Sequence, residues 1–163
     1  MAKKRNLAEV ILKQARFWGL RIVTAESCTA GMLAAALTKL PGSSEVLDCG
    51  FVTYSNASKT RLLGVPEALI AKFGAVSEPV AQAMAMGALE RSEAGLSIAI
   101  TGIAGPGGSE FKPEGRVCFA LAQTGRDCLV QTVEFGSIGR DEVRRAARGH
   151  AMALLADRLS APT

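Results

Sequence analysis

The segment that most restricts the fold is Leu96-Ser-Ile-Ala-Ile100, a short apolar run placed between Gly95 and the stretch Thr101-Gly-Ile-Ala-Gly-Pro-Gly-Gly-Ser109. A run of this length without polar alternation suits a strand buried on both faces, and such a strand needs helices on either side of its sheet. The rest of the chain supplies them. Leu7, Val10, Ile11 and Phe17 recur at helical spacing before a stop at Gly19, predicting an amphipathic first helix. Leu20 to Val23 reads as a strand, Thr24-Ala-Glu-Ser-Cys-Thr-Ala-Gly31 as a tight turn, and the Ala- and Leu-rich run to Leu37 as a helix. Leu40 to Ser44 is a loop, Val46 to Tyr54 a second strand, and Ser55-Asn56 opens a short helix that carries Lys59. Pro66 and Gly74 bracket a further helix. Another opens at Ser77-Glu-Pro79 and runs through Met84, Met86 and Leu89 toward Gly95. Arg116 to Ala122 and Cys128 to Phe135 pair as a hairpin around Thr124-Gly125, and a last helix fills about Arg140 to Leu159. The expectation is a single domain over residues 1–163. Its class is α/β: a three-layer α/β/α arrangement around a mixed, mostly parallel sheet of about five strands.

Composition excludes several functions. Nineteen Lys and Arg against fifteen Asp and Glu leave +4, too mild an excess for a dedicated nucleic-acid binder, and one Trp and one Tyr offer few stacking platforms. No nucleic-acid partner is expected; a small acidic molecule is a sufficient one. No run approaches the roughly 18 apolar residues of a membrane span, so the expected setting is the cytoplasm with no membrane partner. Cys28, Cys49, Cys118 and Cys128 form no CxxC pair and read as reduced thiols. The chain has one histidine, His150, at helical spacing with Val143, Ala147 and Leu154 on the apolar stripe of the last helix. It reads as packed or capping, which leaves a histidine-based triad or a zinc site without material. No metal is expected.

Three segments end the expected parallel strands, and in an open α/β sheet ligands gather at that end. The first offers Ser27 beside a helix start, where free N–H groups favour negative charge; the same residue, or Thr29, also suits a helix cap. Cys28 is a rival nucleophile, and Glu26 is placed to orient a ligand or pair with a cation. The second segment holds Tyr54, Ser55, Asn56 and Lys59. Lys59 works as a base only if its environment lowers its pKa, and otherwise faces solvent; Ser55, one turn away, is an alternative partner. The third is the Gly-rich loop, which lacks the lysine of a P-loop and serves either as an N–H nest for an anion or as a connector. Arg140, Arg144 and Arg148 form a stripe that solvent would accommodate, although one near the helix start is placed to reach a phosphate.

Taken together, Thr24-Ala-Glu-Ser-Cys-Thr-Ala-Gly31, Gly50-Phe-Val-Thr-Tyr-Ser-Asn56 with Lys59, Gly74-Ala-Val-Ser-Glu-Pro79 and Thr101-Gly-Ile-Ala-Gly-Pro-Gly-Gly108 resemble the CinA C-terminal domain family. The resemblance runs from about Leu7 to the last helix. The enzymatic member of that family is nicotinamide-nucleotide amidase, so the resemblance implies hydrolysis of nicotinamide mononucleotide to nicotinate mononucleotide and ammonia in pyridine nucleotide salvage, with no cofactor. It places the nucleophile on Ser27, the general base on Lys59 and an assisting hydroxyl on Tyr54. The residues expected to bind substrate are Thr29, Gly31, Asn56, Thr101, Gly102, Gly105 and Arg140. Arg140 is matched across Phe135-Gly-Ser-Ile-Gly139, which departs from the family's more usual Gly-Asp-Arg pattern. The oxyanion is expected at the start of the Ser27 helix or at Thr101 and its glycines, and the phosphate at the Gly-rich loop. Members of the family also occur fused to other domains with roles linked to competence and DNA damage, which keeps a catalytically silent regulatory domain as the alternative. Whether the chain forms homo-oligomers is left open by the sequence.

Overall fold

A computed structural model describes residues 6–109 and 111–160. Its order is α1 (Leu7–Trp18), β1 (Ile22–Glu26), α2 (Met32–Leu37), one 3-10 turn (Ser43–Glu45), β2 (Leu47–Val52), α3 (Asn56–Leu63), α4 (Glu67–Phe73), α5 (Glu78–Glu90), β3 (Leu96–Gly102), β4 (Arg116–Gln123), β5 (Arg126–Glu134) and α6 (Arg140–Ser160). The five strands form one mixed sheet in the order β2-β1-β3-β4-β5. β1 is parallel to both β2 and β3, while β4 is antiparallel to β3 and β5, so four of the five strands point the same way.

β1 and β3 lie in the middle of the sheet and are buried along almost their whole length. Side chains alternate across the sheet, and each face closes a separate apolar core. Ile22, Ile98 and Ile100 meet α1, α2 and α6 on one face, whereas Val23, Ala25 and Ala99 meet α3, α4 and α5 on the other. This is the double helical cover that the unbroken run Leu96 to Ile100 requires.

Some boundaries differ from the sequence reading. The first strand runs on through Thr24, Ala25 and Glu26, because Glu26 pairs with Val52 on one side and Ile100 on the other. Lateral pairing overrides the turn-like composition there. The helix after it starts only at Met32, so Ser27 lies in a five-residue turn and not at a helix mouth. α5 stops at Glu90, short of Gly95. Phe17 is 74% exposed; the buried stripe of α1 is Ala8, Ile11, Leu12 and Ala15. His150 packs against Phe119 with ring centroids 4.7 Å apart and shares a 2.7 Å hydrogen bond with Gln131, in keeping with a packed role. Among the described residues, no helix is long and apolar enough to cross a membrane.

Candidate active site

The carboxyl ends of β1, β2 and β3 open onto one cavity of about 360 Å³. Ser27, Cys28, Tyr54, Asn56, Lys59, Val76, the loop from Thr101 to Ser109, and Arg140 line it. All three strand-end segments singled out in the sequence therefore meet.

Ser27 follows β1 directly, and its backbone stays in the sheet: its N–H donates to Ile100 O at 2.9 Å, while Glu26 O accepts from Thr53 N–H at 2.9 Å. Lys59 arrives from the second segment. Ser55 caps α3 by accepting from Ser58 N–H at 3.1 Å, which fixes the first turn and carries Lys59 inward. With its hydroxyl committed as the cap, Ser55 is not the partner of Lys59. That partner is Ser27, whose Oγ lies 3.0 Å from Lys59 Nζ across 32 positions of sequence. The pair is buried, Lys59 at 1% and Ser27 at 8% exposure.

The remaining partners of Nζ decide what the amine can do. It donates to Thr53 O at 2.8 Å and to Tyr54 O at 3.5 Å. Carbonyl oxygens only accept. A neutral amine has two N–H bonds and one lone pair, so with both N–H groups committed to the carbonyls the lone pair is left for Ser27, the one partner with a proton to give. Burial drives the amine toward that state, pulling its pKa from 10.5 down to about 8.

Tyr54 is a pocket residue, but its hydroxyl does not bridge Ser27 and Lys59. It is 59% exposed and accepts from Arg140 Nη2 at 2.8 Å. Arg140 also donates from Nη1 to Gly105 O at 2.6 Å, joining the last helix to the Gly-rich loop. Of the residues expected to bind substrate, Asn56, Thr101, Gly102 and Gly105 line the cavity, while Thr29 and Gly31 do not. Thr29 is wholly buried, and Gly31 takes the left-handed conformation that starts α2. Thr101 contributes wall more than chemistry, because its hydroxyl donates to Ala75 O at 2.9 Å. Gly102 allows close approach: a Cβ there would come within 3.0 Å of Cys28 Sγ and 2.7 Å of Val117.

The start of α2 is not free to hold an anion. The Glu26 carboxylate accepts from Leu33 N–H at 2.9 Å and Ala34 N–H at 3.1 Å, so Glu26 is the cap, in place of Ser27 or Thr29, and its oxygens are committed there. Among the described residues, the backbone N–H groups of Cys28, Ala104 and Gly105 donate to no protein oxygen, and all three residues line the cavity. The Cys28 thiol is held in its neutral form: burial pushes its pKa up to about 11. No group of three or more His, Cys, Asp or Glu side chains that could hold a metal is formed among the described residues.

Two participants carried no side-chain signature in the sequence, and the stripe spacing of a third, Arg144, suits solvent equally well. Thr53 and Tyr54 act on Lys59 through their carbonyls, and Arg144 donates from Nε to Cys28 O at 3.0 Å.

This architecture and this chain have relatives. A competence/damage inducible protein from Agrobacterium tumefaciens superposes with a TM-score of 0.90 at 42% identity, covering 99% of each chain. A competence-damaged protein (CinA) superfamily protein from Escherichia coli gives 0.87 at 34% identity, covering 96% of this chain and 93% of that one. A CinA-like protein of Mycobacterium marinum is 55% identical over 142 residues, which cover 86% of this chain and 33% of that protein. The chain spans about a third of the length of the curated relatives it matches. The model of the CinA C-terminal domain matches residues 4–159, and the chain belongs to that family.

Proposed function

We propose that the domain is an amidohydrolase that converts nicotinamide mononucleotide and water to nicotinate mononucleotide and ammonia through an acyl-enzyme on Ser27. The observation that carries this reading is the buried contact of 3.0 Å between Ser27 Oγ and Lys59 Nζ; once the amine is neutral, its two carbonyl acceptors leave its lone pair for the serine.

Lys59 takes the hydroxyl proton as Ser27 Oγ attacks the carboxamide carbon. The transfer is direct, since the two atoms are in contact and the Tyr54 hydroxyl is held by Arg140. The oxyanion of the tetrahedral intermediate is met by N–H groups on the cavity wall, those of Cys28, Ala104 and Gly105 being uncommitted to protein oxygens. Collapse breaks the C–N bond, and the nitrogen leaves as ammonia with the proton from Lys59. A water molecule then gives a proton to Lys59 and adds to the acyl carbon, and Ser27 recovers its proton as nicotinate mononucleotide departs. Arg140 and the Gly-rich loop at the mouth suit the substrate phosphate.

Ammonia release from nicotinamide mononucleotide by the purified protein tests the reading, together with mass spectrometry of the quenched enzyme for an ester on Ser27. Turnover that survives in Ser27→Ala sinks the acyl-enzyme scheme. Tight binding of the nucleotide without any turnover favours the alternative, a silent regulatory domain. The names of the relatives speak of competence and damage and are compatible with that alternative, but a lysine buried against a serine with no carboxylate partner among its hydrogen bonds favours the enzyme.

A further inference from the structure

We infer that Arg144 is a positioning residue for the nucleophile: its Nε, 3.0 Å from Cys28 O, holds the turn that presents the Ser27 hydroxyl to Lys59. The inference rests on the reading of Ser27 as nucleophile.

The turn from Ser27 to Gly31 has little that would hold it in place by itself. Ala30 adopts φ 46° and Gly31 φ 96°, both left-handed, and the first of these is strained for a residue with a side chain. The helix that follows is six residues long, too short to be stable alone. Inside the turn, Ala30 N–H donates to Ser27 O at 3.1 Å and Met32 N–H to Thr29 O at 3.0 Å. Three side chains reach the segment from outside, and the Lys59 amine meets Ser27 Oγ itself at 3.0 Å. The Glu26 carboxylate ties β1 to the start of α2, beyond the strained residues. Ser27 itself is tied to β3 through its N–H and to Lys59 through its hydroxyl; among the described residues, Arg144 is the side chain that holds the main chain of the turn after it, and it does so from α6, an element that belongs to a different part of the chain.

Arg144 sits one helical turn after Arg140, on the same face of α6. One helix thus delivers Arg140 to the cavity mouth and Arg144 to the back of the nucleophile turn. Arg144 does not line the cavity, so its effect on substrate is indirect. Its other contact, to Asp141 at 3.9 Å, involves a carboxylate that is largely in solvent and contributes little direction. The carbonyl of Cys28 is what the guanidinium is aimed at.

Displacement of a reacting atom by about 1 Å costs on the order of 100-fold in rate. Arg144→Met keeps the apolar stem and removes the donor. It is expected to lower kcat for ammonia release by roughly 10- to 100-fold with KM within about threefold, while thermal unfolding still shows one cooperative transition. Arg144→Lys restores a donor and should recover most of the lost kcat; Arg144→Gln, a second neutral variant, should behave like Arg144→Met. An unchanged kcat in both neutral variants overturns the inference. So does a raised KM at unchanged kcat, which would make Arg144 a substrate-binding residue, or an equal loss in Arg144→Lys, which would make its role one of packing. The parent reading fails separately: absent turnover in the unmodified protein, or full turnover in Ser27→Ala, removes it and the inference with it. An active protein that Ser27→Ala silences and Arg144→Met does not leaves the amidase reading standing and the inference refuted.

Discussion

The floor and the mouth of the cavity are built on opposite plans. At the floor, Ser27 and Lys59 are almost out of reach of solvent and the amine is held by main-chain carbonyls. At the mouth, Tyr54 and Arg140 are joined to each other and to a Gly-rich loop, with the tyrosine more than half in water. Burial shifts ionisation and strengthens electrostatics, which suits proton transfer. A wet, hydrogen-bonded rim suits recognition of a charged group whose own hydration must be exchanged on binding. The contrast predicts that floor substitutions act on kcat and mouth substitutions on KM.

The largest effect is expected at the floor. Ser27→Ala and Lys59→Met should each lower kcat by at least about 1,000-fold, and combining them should cost little more than either alone, because the two groups act as one unit. Steady-state ammonia release measures this. A double variant whose loss is the product of the single losses would show that the two residues do not share a step.

The same burial makes a signed prediction about pH. The folded amine loses its proton near 8 and the unfolded one near 10.5. Turnover should therefore rise with pH up to about 8, where the base becomes neutral, and level off above. Between those two values the unfolded state binds more protons than the folded state, so this group makes stability increase with pH across that window. Below it, the buried ammonium costs about 3 kcal/mol relative to an unperturbed lysine, from a shift of about 2.5 at 1.36 kcal/mol per unit. Chemical denaturation of the unmodified protein and Lys59→Met at pH 7, 8, 9 and 10 isolates the contribution, since titrations common to both cancel in the difference. A flat difference curve would mean that Lys59 is not desolvated in the way its burial implies.

How much of this was legible without coordinates depends on whether the information is local. The buried strand Leu96 to Ile100, the capped helix carrying Lys59 and the Gly-rich loop are local patterns, and each appears where the sequence puts it. The pairing of Ser27 with Lys59 is not local. Residue types alone left the serine as a cap and the lysine in solvent, and only resemblance to a family raised them above those readings. Glu26 was not legible in this role: the sequence places it in the turn, to orient a ligand or pair with a cation, whereas β1 runs on to Glu26 and its buried carboxylate takes the nearest unpaired donors, those of the next helix. The carbonyls of Thr53 and Tyr54 leave no trace in a sequence, because every residue has one. The arginine stripe misled in a different way, since its regular spacing fits a solvated face equally well. Only the packing of α6 against the turn shows that Arg140 and Arg144 face inward.

At the mouth the expected effects are smaller and fall on binding. Arg140→Ala removes the guanidinium that lines the cavity, and a charge-assisted hydrogen bond of this kind contributes about 1.5–3 kcal/mol, so KM should rise roughly 10- to 100-fold with kcat within about tenfold. Tyr54→Phe keeps the ring and loses one acceptor for Arg140, so a KM change of only a few-fold is expected, from a single hydrogen bond of about 1 kcal/mol. Initial rates across substrate concentration separate the two parameters. A loss of kcat in Tyr54→Phe as deep as that of Lys59→Met would place the phenol in the proton path and dissolve the distinction between floor and mouth.

The smallest effect is expected at Cys28, which lies at the floor yet belongs to neither plan. Its thiol is buried, and with a pKa of about 11 the thiolate is about one part in ten thousand at pH 7. A nucleophile in that state would need a base, and the Lys59 amine is in hydrogen-bond contact with Ser27 instead. What Cys28 contributes to the site is main chain: its carbonyl accepts from Arg144, and its N–H is uncommitted to protein oxygens. Cys28→Ala preserves both groups and removes one sulfur packed near Gly102. The expected outcome is kcat and KM within about threefold of the unmodified protein, and a stability loss of about 1 kcal/mol for the apolar volume given up. Abolished turnover with intact folding would transfer the nucleophile to the thiol, and the contact between Ser27 and Lys59 would then need another explanation.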